Sequence, residues 1–377
     1  MRIAWVSHEG FLGGAQLSFL EAARGMADRG HTIHAILPER EQLAGPLEQA
    51  GVTVSVHRYT WWVVVSGPWR APRYRLRRLA RNLVAARHLA RFFRDWRPDV
   101  VVSNTLAVPA GAFGAWLARV PHAWYVHELF GKENDLYFDL GAPLSLALMD
   151  RLSTRLVACS RAVRDQLQDR IPASKIRVVY YAVEVPSQAP PPPRDDDVLR
   201  LVMASRLAPA KHQEDAIRAL GMLAKRGVNA RLELIGRERP EYGRLLRNLA
   251  REGGVLDRVD FRPFTDDPHG HVAAADVALM CSRGEGFGRV TVEAMKVGLP
   301  VVGADSGATP ELIRDGWNGL LYRRGDAADL AAKLEGLWRD RALLEGMGRN
   351  AQAWSRETFR LDRYTPDLLA ALAECVS

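Results

Sequence analysis

Three cysteines in 377 residues, Cys159, Cys281 and Cys375, are too few and too far apart for a disulfide framework or a metal site. Buried or idle thiols are expected. Long apolar runs are also missing: the longest, Leu106 to Ala118, is broken by Pro109, Gly111 and Gly114 and falls short of the ~20 residues that span a bilayer. The opening Met1-Arg2-Ile3-Ala4-Trp5-Val6 turns polar at Ser7-His8-Glu9, too soon for a secretory leader. These absences lead to the expectation of a cytoplasmic protein. No G-x-G-x-x-G fingerprint follows the first expected strand, which argues against a dinucleotide. No Asp-x-Asp pair stands in a metal-binding context, since Asp195-Asp196-Asp197 lies in a proline-rich loop and Asp266-Asp267 in another. Neither an essential metal nor a cofactor is expected.

What is present suits packed cores. Hydrophobic residues make up 47% of the chain, and its length suggests about two domains. The net charge of +8 is uneven: residues 1–180 hold 24 Lys and Arg against 15 Asp and Glu, and the remainder 28 against 29. The basicity therefore belongs to the first half, where composition alone favours nucleic acid, an anionic membrane or an acidic substrate equally.

One stretch organises the rest. Ala275 to Met280 reads as a short buried strand, Cys281-Ser282-Arg283-Gly284-Glu285-Gly286-Phe287-Gly288 as a glycine-rich turn, and Arg289 onward as a helix with Val290, Ala294 and Val297 on one face. Gly286 and Gly288 let backbone approach a ligand, and the unpaired amides opening the helix form an anion site with Arg289. Glu285 and Glu293 flank that site. Carboxylates repel phosphate but accept hydrogen bonds from sugar hydroxyls beside it, so the suggested ligand is a nucleotide sugar.

Glu285 and Glu293, eight apart around Gly-Phe-Gly and followed by Ala294-Met295, resemble the E-x7-E signature of the retaining family 4 glycosyltransferases. Gly298-Leu299-Pro300-Val301-Val302, Pro310-Glu311-Leu312-Ile313 and Gly316-Trp317-Asn318-Gly319-Leu320 extend the resemblance across residues 260–326. The resemblance implies an α/β chain of GT-B fold: two Rossmann-like, doubly wound parallel-sheet domains facing across a cleft. It also implies that Glu293 holds the ribose and Glu285 the donor sugar, while Gly286, Phe287, Gly288 and Arg289 line the donor site.

Other positions gain roles from that resemblance. Ser205-Arg206-Leu207, with Lys211 beyond, follows the expected strand Leu199 to Ala204; Arg206 and Lys211 would clamp the diphosphate. Gly13-Gly14 resembles a loop that closes on the donor diphosphate and the acceptor, with Gln16 where relatives often have Glu. Asn104 and Gln16 are assigned to the acceptor. His127, after the strand Ala123 to Val126, resembles the family's histidine near the anomeric centre and would hydrogen-bond a donor hydroxyl or shape the backbone; His122 and Glu128 look less placed. Gly236 opens a donor loop reading Gly236-Arg237-Glu238-Arg239-Pro240, without the usual second glycine. Tyr181-Ala182-Val183-Glu184 replaces a usual Asn-Gly-Val-Asp, and Ser306-Gly307-Ala308 a usual Gly-Gly pair.

An amphipathic helix is expected from Arg73 to Arg97, with Leu76, Leu79, Leu83, Ala86, Ala90 and Phe93 inward and nine arginines on the other face. Near Trp61, Trp62 and Trp69 it fits two readings, a core-packed helix with a solvated basic face or a helix seated on an anionic bilayer from the cytoplasmic side. Nucleic acid is not expected, because no recognition motif accompanies the arginines. The expected organisation is an acceptor domain over residues 1–185, a proline-rich linker over 186–198, a nucleotide-sugar domain over 199–353, and a terminal helix over 354–377 returning to the first domain. The expected activity is metal-independent, retaining transfer from a UDP-, GDP- or ADP-sugar to a glycan, lipid-linked or small-molecule hydroxyl. Two alternatives remain open: a nucleotide-sugar hydrolase or epimerase of GT-B fold, and a non-catalytic basic membrane-binding protein.

Overall fold

A computed structural model describes residues 1–65, 72–186, 197–265 and 268–376. Trp69, the proline-rich stretch with Asp195-Asp196, and Asp266-Asp267 lie outside the described residues. The chain divides into two compact units, Met1–Val183 with Phe359–Ser377, and Glu184–Thr358.

The first unit is built on β1 (Arg2–Val6), β2 (Thr32–Leu37), β3 (Thr53–Val56), a short β4 (Val63–Val64), β5 (Val100–Asn104), β6 (His122–Val126), a short β7 (Tyr137–Phe138), β8 (Arg155–Ala158) and β9 (Ile176–Val178). Seven of these form one sheet in the order β3-β2-β1-β5-β6-β8-β9, with every pairing parallel, while β4 and β7 pair antiparallel. Strands covered on both faces read as continuous apolar runs, and all five residues of β5 and of β6 are buried. The helices are α1 (Gly14–Ala27), α2 (Ala44–Gln49), α3 (Pro72–Trp96), α4 (Pro109–Ala118), α5 (Ala142–Leu152) and α6 (Arg161–Gln168).

The second unit has a six-stranded parallel sheet of β10 (Leu199–Ala204), β11 (Ala230–Ile235), β12 (Val259–Arg262), β13 (Val277–Met280), β14 (Val301–Ala304) and β15 (Gly319–Tyr322). Its order is β12-β11-β10-β13-β14-β15. Around it lie α7 (Gln213–Lys225), α8 (Pro240–Glu252), α9 (Pro268–Ala273), α10 (Arg289–Lys296), α11 (Thr309–Leu312), α12 (Ala327–Arg339) and α13 (Arg341–Thr358). Last in the chain, α14 (Leu361–Ala373) belongs to the first unit. There it packs on α1 closely enough that a Cβ on Gly25 would lie 2.2 Å from Thr365 Oγ1.

Several expectations change. Residues 354–372 do not form one helix: α13 runs through Trp354 to Thr358, and Phe359, whose carbonyl accepts a hydrogen bond from the Val183 amide, lies in the break before α14. The strand expected over Ile176 to Tyr181 stops at Val178, and Tyr181 beyond it is a buried side chain.

The basic helix differs most. Ala86, Ala90 and Phe93 are buried, but Leu76 is 69% exposed and Leu83 43%, beside Val84 at 52%. At 100° per residue the buried face centres on Asn82, Ala86, Leu89 and Phe93, which carries Leu76 and Leu83 round to the flank. Arg78 leaves the basic face, its Nε donating to Asp139 Oδ2 at 2.7 Å in a largely buried ion pair. Arg97 lies past the helix end with φ +53°. Trp61 and Trp62 turn to the protein, donating to His8 O and Leu106 O at 2.9 and 2.7 Å.

Candidate functional site

Each sheet reverses its winding once, between β1 and β5 in the first unit and between β10 and β13 in the second. Ligands of doubly wound sheets bind outside the carboxyl ends of strands at such points. The sequence-derived residues gather at both.

In the second unit the loops after β10 and β13 are tied together by the Arg283 amide, which donates to Ala210 O at 3.0 Å. That bond brings Lys211 onto Glu285, and Lys211 Nζ donates to Glu285 Oε1 in a mostly buried ion pair. The expected clamp is thus half engaged: Lys211 has an internal carboxylate partner, whereas Arg206 is exposed and has no ion-pair partner among the described residues. Ser205 Oγ accepts from Gln213 Nε2 at 3.1 Å, and the same amide reaches Arg206 O at 3.1 Å. Buried Gln213, not singled out in the sequence, therefore shapes this loop.

Gly288 caps α10 with φ +94° and ψ +54°, the left-handed region that favours glycine. Gly286 is not among the residues with positive φ, so its local geometry does not demand glycine. Phe287 is 3% exposed; its side chain joins the core, which leaves only its backbone for a ligand. Arg289 is also buried and lies 3.4 Å through Nε from Glu293 Oε1, one helical turn on. Glu293 thus stands beside one fixed cation, Arg289, with the His269 ring at 4.0 Å through Nε2. Gly236 has φ +149°, and a Cβ there would lie 2.2 Å from Ser205 O, so that loop needs its glycine. Arg237, in place of the missing second glycine, sits over the Phe264 ring at 5.2 Å.

Ser306-Gly307-Ala308 supports the turn. The Ala308 amide donates to Glu285 O at 2.9 Å, Ser306 Oγ donates to Arg283 O, and a Cβ on Gly307 would lie 2.7 Å from Glu285 N. The sequence marked this segment only as a departure from a family pattern; the backing of Glu285 is visible only in the fold.

In the first unit Asn104, His127, Gln16 and Tyr181 converge. Asn104 Oδ1 lies 2.8 Å from His127 Nε2, and His127 Nδ1 contacts the Tyr181 hydroxyl. Both ring nitrogens of His127 therefore have partners within the protein. Burial, with a smaller push from His8, holds this imidazole well below its ordinary pKa, so it is neutral. Gln16 is 2% exposed and its amide donates to His8 Nε2 at 3.0 Å, while Asn104 Nδ2 reaches Ala15 O at 3.4 Å. The two residues assigned to an acceptor thus brace the loop after β1. Gly13 is extended at φ −124°, and a Cβ there would meet only the end of the Gln16 side chain, 2.8 Å from Oε1, so neither backbone nor packing demands glycine; Gly14 begins α1. His122 is structural, its ring nitrogens 2.9 and 3.0 Å from Ser153 Oγ and Ser103 Oγ.

Glu128, which the sequence left as less placed, is held at a definite position. Its Oε2 accepts from the amides of Leu106 and His127, both at 3.3 Å, so it bridges the ends of β5 and β6. Burial pushes its carboxyl up to about 7, with the backbone donors pulling it down and Glu9 adding to the rise. Among the described residues no group of three or more His, Cys, Asp and Glu is arranged to hold a metal.

Similarities to known proteins agree with this geometry. Residues 12–185 match the family description Glycosyltransferase Family 4, and residues 186–354 match Glycosyl transferases group 1. The D-inositol 3-phosphate glycosyltransferase of Actinosynnema mirum is 31% identical over 294 residues, 69% of each chain. The N-acetyl-alpha-D-glucosaminyl L-malate synthase of Bacillus anthracis is 32% identical over 163 residues, 43% of this chain and 42% of that one. The chain therefore spans less than half of that second relative's length. The crystal structure of Anabaena HepE in complex with UDP and glucose superposes with a TM-score of 0.80 over 99% of both chains at 23% identity, a likeness of fold that identifies GT-B. Two family descriptions in tandem, and a relative matched over two thirds of its length, place this chain in the family 4, group 1 glycosyltransferases.

Proposed function

We propose that this protein transfers a sugar from a nucleotide-diphosphate sugar to a hydroxyl of a glycan, lipid-linked or small-molecule acceptor, with retention and without an essential metal. The observation that carries this reading is the Lys211–Glu285 pair at the β10/β13 reversal, beside the amides that open α10. A diphosphate there would meet Lys211, exposed Arg206 and a helix N-terminus, the electrostatic stabilisation that a departing nucleotide needs. Glu285, relieved of Lys211, would accept from donor-sugar hydroxyls, and Glu293 from ribose. The bond from the anomeric carbon to the diphosphate breaks, the acceptor oxygen bonds to that carbon on the same face, and the acceptor proton passes to the diphosphate oxygen.

The names of the two curated relatives, acting on inositol 3-phosphate and malate, support a hydroxyl acceptor; the UDP and glucose bound to HepE make UDP-sugars the first donors to test. Purified protein would be incubated with UDP-, GDP- and ADP-sugars in EDTA, and nucleotide release and the anomeric configuration of the product recorded. One nucleotide series should be turned over, with the donor's configuration kept. Removing the cation in Lys211→Ala should cost on the order of 100-fold in rate and abolish nucleotide-dependent stabilisation, about 2.7 kcal/mol at a hundredfold excess over Kd. Binding without turnover of any donor would reject the enzymatic reading.

The exposed face of α3 supports a lipid-linked acceptor at an anionic membrane. Leu76, Leu83 and Val84 stand among exposed Arg73, Arg77, Arg87 and Arg91, the combination of apolar and cationic groups that suits a bilayer interface.

A further inference from the structure

The reversal between β1 and β5 in the first unit has its own open polar group. Glu128 comes after His127, just past the end of β6, and its Oε2 is held by the Leu106 and His127 amides. Glu128 is half-buried, its own amide adds to the donors that act on the carboxyl, and among the described residues no hydrogen bond from another residue reaches its Oε1. A carboxylate fixed by one oxygen and open at the other is set to receive a hydroxyl. The groups around it are Glu9 and His8 after β1, the Leu106 amide after β5 and His127 after β6. His127 and His8 are both kept neutral by burial, His8 at about 3, and Glu9 bears on Glu128 as a second negative charge. Local charge is therefore negative, in a chain whose net charge is +8.

We propose that Glu128 is an acceptor-binding residue whose Oε1 takes a hydrogen bond from a hydroxyl of an uncharged polyol, and that with Glu9 it turns away acceptors carrying a carboxylate or phosphate beside that hydroxyl. The proposal rests on the glycosyl-transfer reading and names the acceptor chemistry. Only unit-one residues take part, so donor chemistry is separate from it. Gln at this position keeps an oxygen for the two backbone amides but replaces the open oxygen with a donor, so Glu128→Gln preserves the fold and alters the contact.

The test compares wild type and Glu128→Gln on matched acceptors, octyl glucoside with octyl glucuronide and myo-inositol with its monophosphate, together with hydrolysis of the donor by water. Wild type should use the uncharged member of each pair. In Glu128→Gln the KM for that member should rise about tenfold, the cost of exchanging a charge-assisted hydrogen bond for a neutral one; the charged member should gain ground, and transfer should fall more than donor hydrolysis. Wild-type KM for the uncharged acceptor should also rise as Glu128 is protonated below its apparent pKa, and Glu128→Gln should lack that rise. A wild type that prefers the charged acceptors, an unchanged KM, or an equal fall in donor hydrolysis overturns the proposal. A wild type that neither hydrolyses nor transfers from any donor refutes the glycosyl-transfer reading instead, and the assignment of Glu128 falls with it.

Discussion

Asn104 Oδ1 lies 2.8 Å from His127 Nε2, and this contact fixes the proton on the ring. An amide oxygen only accepts, so Nε2 carries the hydrogen and Nδ1 is left to accept from the Tyr181 hydroxyl. The Asn104 amide is oriented in turn by its donation to Ala15 O. Tyr181 is thus the partner that fixes the orientation of His127.

Because all three side chains are buried, Tyr181→Phe or Asn104→Ala should each cost about 1–3 kcal/mol, the penalty for a buried polar group left without its partner. Urea unfolding midpoints measure it. A loss below about 0.5 kcal/mol for Tyr181→Phe would mean that His127 Nδ1 does not depend on the hydroxyl.

Acidification should destabilise the fold. Burial holds His8 and His122 at about 3 and His34 at about 4, against ~6.5 in the unfolded chain. Their contribution is fully present above pH ~6.5 and is lost as pH falls through the window between 6.5 and those folded values, at up to ~1.4 kcal/mol per pH unit for each histidine. Glu128, raised from 4.5 to about 7, acts in the opposite sense, stabilising the folded state below that range and losing its contribution as pH rises to 7. Three histidines outweigh one glutamate. Tm should fall between pH 7 and 5, and a flat or rising profile would contradict the buried-neutral assignment.

The glycines of the turn should respond differently. Gly288→Ala places a Cβ in ordinary contact, 3.4 Å from Thr291 Oγ1, but in a left-handed conformation, which costs about 1–2 kcal/mol. Gly307→Val meets the Glu285 backbone, whose nitrogen would be 2.7 Å from the first added carbon, so the turn itself must move. Gly307→Val is expected to lose nucleotide-dependent stabilisation, while Gly288→Ala lowers Tm and retains part of it. Equal behaviour of the two would show that Gly307 does not seat Glu285.

Co-sedimentation with vesicles addresses α3. Phosphatidylglycerol vesicles should retain the protein and phosphatidylcholine vesicles should not, with binding weakened by salt. Replacing Leu76, Leu83 and Val84 together by Ser, or Arg77, Arg87 and Arg91 by Gln, should each reduce binding by tenfold or more, at roughly 1 kcal/mol per basic residue. If the serine variant binds as wild type does, the apolar residues take no part.

The alternation of strands and helices, the glycine turn before α10, and the spacing of Glu285 and Glu293 are legible along the chain. Those features are written in local periodicity and spacing, which neighbours in the chain enforce. Tertiary structure decided the rest. Lys211 and Glu285 are 74 positions apart and meet because β10 and β13 are adjacent; Glu128 and Leu106 meet because β5 and β6 are. A fully buried sheet hides its alternation, so nothing along the chain shows which strand end faces which. The flank of α3 was misread for a related reason: Leu76 and Leu83 fit an apolar stripe by number, but the width of the buried face depends on how closely α4 packs, and its Gly114, where a Cβ would come within 3.0 Å of Leu89 Cβ, brings that contact to the Ala86–Leu89–Phe93 side.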